Sequence, residues 1–214
     1  MAVVKTPRRR AAPLTRRERA DATRQRIVVS AAQLFRESGY AGTTMTAIAQ
    51  RAHVAVQTVY FTFHTKTALL SAVADHAITG GTAVDPEQAK WVQSVFAERD
   101  GARRIALVIE GTAQVVPRML PIGDAWHAAI SADPSAATEF RGRLLARRQF
   151  LRRVIEQTKE SRQLKPKLDP EHATDILFAM TTSESYASLT DLLGWSVEQW
   201  KSWVTAALVR ELLR

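Results

Sequence analysis

Apolar residues recur every three or four positions from Ile27 to the last residues of the chain, and no run alternates with a period of two for long enough to build a sheet. Such a chain folds as all-α. Ile27, Ala31, Leu34 and Phe35 share one face of a first helix, which the pattern starts near Thr23 and Gly39 stops after Ser38. Thr43 and Thr44 offer N-cap hydroxyls to a second helix whose stripe is Met45, Ile48, Ala49 and Ala52. A third short helix spans roughly 56–63, and a fourth begins near Thr65 and carries Leu69, Leu70 and Val73. Gly80-Gly81 and Asp85-Pro86 mark a joint. Beyond it the spacing predicts helices at about 86–98, 102–116, 121–131, 134–163, 170–193 and 197–213. Most are divided by Pro117, Pro121, Pro134, Pro166, Pro170 or Gly194.

Charge divides the chain further. Of the net charge of +9, most sits in residues 1–26, where Lys5, Arg8, Arg9, Arg10, Arg16, Arg17, Arg19, Arg24 and Arg26 face only Glu18 and Asp21. With Pro7, Pro13 and three consecutive arginines, residues 1–20 read as a basic arm that stays disordered until bound. Such an arm either binds phosphate by counterion release or keeps the chain soluble. The expected organisation is therefore an arm at 1–20, a compact cluster of short helices at 21–80, and a larger helical domain at 81–214. The chain has no cysteine, which excludes disulfides, thiolate metal sites and cysteine nucleophiles. No stretch approaches the roughly 18 apolar residues of a membrane helix, and the basic start lacks the apolar core of a secretory signal. A cytoplasmic protein with no membrane partner is expected.

Residues 39–70 concentrate the functional signal. They describe a helix, a three-residue turn and a short helix, with Ile48 and Ala49 buried in the first, Val54 plugging the angle, and Val59 and Phe63 burying the back of the second. The front of that second helix is left free to enter a major groove roughly 12 Å wide.

This stretch resembles the TetR-type repressors. Their pattern of paired threonines, short helix, glycine-valine-serine turn, threonine-leucine-tyrosine, aromatic, lysine and leucine pair maps without a gap onto Thr43 to Leu70. Ala31-Ala32-Gln33-Leu34-Phe35 and Gly39-Tyr40 match the family's first helix. The resemblance implies that Thr44 caps its helix and meets a phosphate, and that Val56, Gln57 and Thr58 face base edges. Gln57 would pair with adenine, while Val56 or the Thr58 methyl would touch a thymine methyl. Tyr60 and Lys66 would hold phosphates, and Thr62 stands where many relatives place a phosphate-binding histidine. Two departures stand out: the turn glycine is His53, which must accept positive φ, and the following serine is Ala55, which loses a capping hydroxyl. Asp191-Leu192-Leu193-Gly194-Trp195-Ser196, with Glu198, Trp200 and a leucine-rich last helix, looks like the dimerising end of many members. The resemblance implies a homodimeric regulator whose three-helix DNA-binding domain at 21–80 holds a palindromic double-stranded operator and whose helical ligand-binding and dimerisation domain at 81–214 releases it when a small apolar effector binds.

Candidate pocket residues for that effector are Trp91, Phe96, Met119, Trp126, Phe150, Phe178 and Tyr186, whose aromatic and flexible side chains suit an apolar site. Arg141, Arg143, Arg147, Arg148, Arg152 and Arg153 lie on one long helix and read as a solvated face partnered by Glu139 and Glu156. The five histidines show no metal-ligand spacing, so no metal or cofactor is expected. No catalytic elbow or phosphate-cradling glycine loop occurs, so no enzyme is expected either. The competing reading is a helical small-molecule-binding protein or enzyme with a basic tail and no operator, which a duplex-binding assay separates.

Overall fold

The computed structural model describes residues 15–82 and 84–214, and they fold as helices, as the periodicity requires. The first four are α1 (Arg16–Gly42), α2 (Met45–Ala52), α3 (Val56–Phe63) and α4 (Lys66–Ile78). Helix α1 begins at Arg16 rather than near Thr23, so residues 16–20 belong to the helix and Thr15 caps it, and neither is part of the expected arm; residues 1–14 lie outside the described residues. The reason is a capping box: Thr15 Oγ1 accepts the Glu18 N–H at 3.2 Å, and the Glu18 carboxylate accepts the Thr15 N–H at 2.7 Å. These bonds hold the Glu18 carboxyl below its usual range. Gly39, at φ 66 and ψ 178, interrupts the helical backbone where the sequence placed the stop, and Tyr40–Gly42 form one further turn.

Past a 3₁₀ turn at Pro86–Gln88 come α5 (Lys90–Ala97), α6 (Gly101–Ala132), α7 (Pro134–Glu160), α8 (Pro170–Met180), α9 (Ser183–Ala187) and α10 (Val197–Leu212). Two expectations fail here. The helices expected at 102–116 and 121–131 are one helix, α6, with Pro117 and Pro121 inside it. Each proline removes only one N–H from the ladder, and packing at both ends of α6 holds the rod together across the gap. The helix expected over 170–193 instead breaks at Thr181, because the Thr182 hydroxyl accepts the Ser185 N–H at 3.1 Å and starts α9. A π turn at Ser188–Leu192 then carries the chain to Gly194, at φ 73.

The packing divides the molecule at a different place from the Gly80-Gly81 joint. One core holds the apolar faces of α1 to α4 together with Ile122, Ala125, Trp126 and Ala129 of α6 and Ala136 of α7. The other holds Val95 of α5, Ile105, Val108, Ile109 and Val116 of α6, Leu151, Val154 and Ile155 of α7, and Trp200, Val204, Leu208 and Leu212 of α10. Helix α6 therefore serves both cores, and residues 122–136 pack with the N-terminal helices rather than with the domain expected at 81–214. By length and composition α6 passes as a membrane span, against the expectation from the sequence. Its buried residues in this fold include Ile105, Ile109 and Trp126, packed against neighbouring helices.

Candidate nucleic-acid interface

Thr44 starts the interface. Its hydroxyl accepts the Ala47 N–H at 3.0 Å and caps α2, leaving the side chain exposed. Helix α2 buries Met45, Ile48, Ala49 and Ala52 and ends at His53, which adopts φ 53 and ψ 50, the left-handed conformation expected of the turn. Val54 is half-buried against the first core. Ala55 is the N-cap of α3 and provides no side-chain hydrogen bond. Helix α3 buries Val59 and Phe63 completely, which turns its opposite side outward.

On that outward side Gln57 is exposed and Tyr60 is half-exposed. Thr58 is half-buried, and its carbonyl accepts the Thr62 hydroxyl at 2.7 Å, so that hydroxyl proton is already used within α3. Val56 is half-buried and rests against the first core, so only part of it faces out. Lys66 has a structural engagement the sequence did not reveal. Its Nζ donates to the Tyr40 carbonyl at 2.8 Å and the Thr43 carbonyl at 3.0 Å, and lies 4.0 Å above the Tyr40 ring. Desolvation by burial lowers its pKa. Lys66 thereby fixes the start of α4 to the segment just before Thr44, and so helps set where α2 begins.

Two side chains at this site are not among the expected DNA contacts. Phe61 on α3 is 84% exposed. It lies two residues from both Val59 and Phe63, so a helix that buries those two must turn Phe61 outward, and that signal was present in the sequence. Arg24 of α1 stacks 4.5 Å over the Phe63 ring and brings basic charge beside the end of α3; its distance in the chain, 39 positions upstream, hid it.

The seven proposed pocket residues are divided between the two cores. Trp91 and Phe96 each meet Phe150 edge-on, at 5.6 and 5.7 Å, and these three form a cluster. Phe178 lies beneath the Arg147 guanidinium at 4.8 Å, and Tyr186 is buried against Trp200. Met119 and Trp126 belong to the other core, where Trp126 tilts onto Phe140 at 5.5 Å. Beside Phe96 runs an open groove of about 490 Å³ edged by Arg152, Arg153, Glu156 and Gln157. The arginines of α7 are tied mainly to other helices: Arg148 to Glu171 and Asp175, Arg152 to Glu171, Arg143 to Asp75 and Arg153 to Glu87. Only the Arg152–Glu156 pair, at 3.8 Å, follows the intrahelical pattern expected. Glu139 instead accepts the Ser71 hydroxyl of α4. No group of three potential metal ligands occurs among the described residues.

Residues 27–73 match the family model described as bacterial regulatory proteins, tetR family. No curated protein matches the sequence. Solved structures similar to it include the SmeT–triclosan complex, with a TM-score of 0.71 and 18% identity over 90% of this chain and 92% of that one. NalD, the secondary repressor of the MexAB-OprM efflux pump in Pseudomonas aeruginosa, aligns with a TM-score of 0.64 and 21% identity over 91% and 98% of the two chains. AibR in complex with isovaleryl coenzyme A and operator DNA aligns with a TM-score of 0.61 and 18% identity over 87% and 98%. At such identities the likeness establishes a shared fold.

Proposed function

We propose, from the premise that this chain is a TetR-family transcriptional regulator, that it acts in the cytoplasm as a homodimeric repressor, bound to a palindromic operator and released by a small apolar ligand. One observation carries the DNA-binding part: α3 buries Val59 and Phe63 and presents Gln57 and Tyr60 to solvent behind a capped α2. In a major groove Gln57 makes a bidentate pair with adenine. Tyr60 and the N-terminus of α2 at Thr44 hold phosphates and fix the register of the helix.

The dimer reading rests on the last helices. Leu192 and Leu193 are 80% and 63% exposed, and Trp203 is 47% exposed beside Trp195. Helices α8 and α10 of two copies, packed as four, cover this apolar surface and set two α3 helices on successive turns of DNA. The ligand reading rests on the Trp91, Phe96 and Phe150 cluster, and on the triclosan and isovaleryl coenzyme A that SmeT and AibR bind. Ligand and operator then oppose each other by the same factor, typically about 1–3 kcal/mol.

The test is selection of bound duplexes from random DNA at stated salt. The expected product is a palindrome with half-sites roughly 34–36 Å apart. Binding that tracks only ionic strength, with no consensus, overturns the reading. A titration of apolar compounds against the selected complex tests the release, and no compound changing affinity refutes it.

A further inference from the structure

Phe61 exposes 84% of its surface, more than any other large apolar side chain among the described residues, and it does so on the outward side of α3. A phenyl ring carries no donor or acceptor, so it has nothing to offer a phosphate oxygen or the polar edge of a base. In water its exposure is unfavourable, and nothing in the fold covers it. Phe61 lies one helical turn after Gln57, so the two share a stripe on the face that α3 turns away from the core. In the major groove the one apolar group a base edge presents is the 5-methyl of thymine.

We propose that Phe61 is a specificity-determining residue whose ring packs against a thymine 5-methyl in each half-site, next to the base pair that Gln57 reads. The inference rests on the DNA-reading function of α3. It adds to that function an apolar readout, which selects A·T pairs through a methyl group and not through a hydrogen bond. Tyr60, its neighbour, retains a hydroxyl and serves the backbone, so the two adjacent aromatics divide the work between positioning and reading.

The experiment uses the full chain and the duplex recovered by selection, with thymines replaced one position at a time by deoxyuridine in both half-sites, which removes the methyl and nothing else. The parent protein should lose affinity on the order of tenfold at one symmetric position. Phe61→Ala should bind the parent duplex more weakly and lose no further affinity on that replacement, while Phe61→Leu should keep part of the methyl dependence. Because the side chain is exposed, both variants should melt within a degree or two of the parent protein. If the operator is bound and no thymine is methyl-sensitive, or the penalty persists undiminished in Phe61→Ala, this inference falls and the operator reading stands. If the parent protein selects no consensus at all, both fall.

Discussion

The helices that carry the interface and those beyond α5 use their polar side chains differently. Around α2, α3 and α4 the Thr44 and Thr65 hydroxyls cap their own helices, accepting the Ala47 and Ala68 N–H at 3.0 Å each, and the cation held by carbonyls, Lys66, is half-buried. Beyond α5 two arginines join one helix to another. Arg104, 1% exposed, donates to Thr158 Oγ1 at 3.0 Å and to the Glu98 carbonyl. Arg147 donates to the Thr181 carbonyl and hydroxyl at the end of α8, where the helix dipole favours a cation. Neither arginine has a carboxylate within ion-pair distance among the described residues. Burial lowers Arg147 to about 10, opposed by the more distant Glu184. A buried cation held by carbonyls ties the orientation of one helix to the end of another, whereas a capped helix carries its own polar satisfaction wherever it moves. The reading helices thus start on caps of their own, while the second region adds cations that join one helix to another.

That contrast is broken most directly at Trp126, which belongs to α6 but is buried in the core of the reading helices. Trp126→Ala should cost about 3–5 kcal/mol and lower one shared unfolding transition, as followed by calorimetry. Two transitions, with only one shifted, would mean that the regions fold independently and that α6 does not join them. Next in size, Pro117→Ala or Pro121→Ala should each raise stability by roughly 1–2 kcal/mol, since the regained helical bond outweighs the looser unfolded chain. A fall in denaturant midpoint would show that the prolines are set by packing. Ala55→Ser gives α3 the hydroxyl cap its neighbours have and should add up to about 1 kcal/mol. A lower melting temperature would contradict the start of α3 at Val56.

The smallest effect concerns His76, where α1, α4 and the following loop meet. Gln25 Nε2 lies 3.0 Å from its Nδ1 and also donates to the Gly81 carbonyl, and Arg118 is nearby. Desolvation, helped by Arg118, lowers its pKa below the usual 6.5. The unfolded chain therefore takes up the proton first, and stability present above pH 6.5 is lost as pH falls below it. His76→Gln should flatten that part of the melting-temperature profile, and an unchanged profile would remove His76 as its source.

The sequence made local structure legible and distant partners illegible, for physical reasons. The caps, the left-handed His53 and the uncapped Ala55 follow from residue type within one turn, and they stand where the pattern put them. The Thr15-to-Glu18 box was equally local and was passed over, because the arginines around it read as an arm. Lys66 was different: its Tyr40 and Thr43 carbonyl partners are 26 and 23 residues upstream, and no periodicity announces them. The division of the aromatic residues between two cores was hidden in the same way. Aromatic residues mark apolar surface, but whether Trp126 faces Phe150 or Phe140 depends on how α6 and α7 cross. The helix boundary at Pro117 failed because a proline's cost of about 3 kcal/mol is smaller than what packing on both sides supplies.

Those two prolines fall between Val116, the last buried α6 residue of one core, and Ile122, the first of the other. A rod of 32 residues, about 48 Å long, therefore has its weakest rungs where its load passes from one support to the next. Carbonyls already without partners resist bending least. A flexure of about 5° at that midpoint swings either end by about 2 Å, enough to unseat a side chain from a base edge.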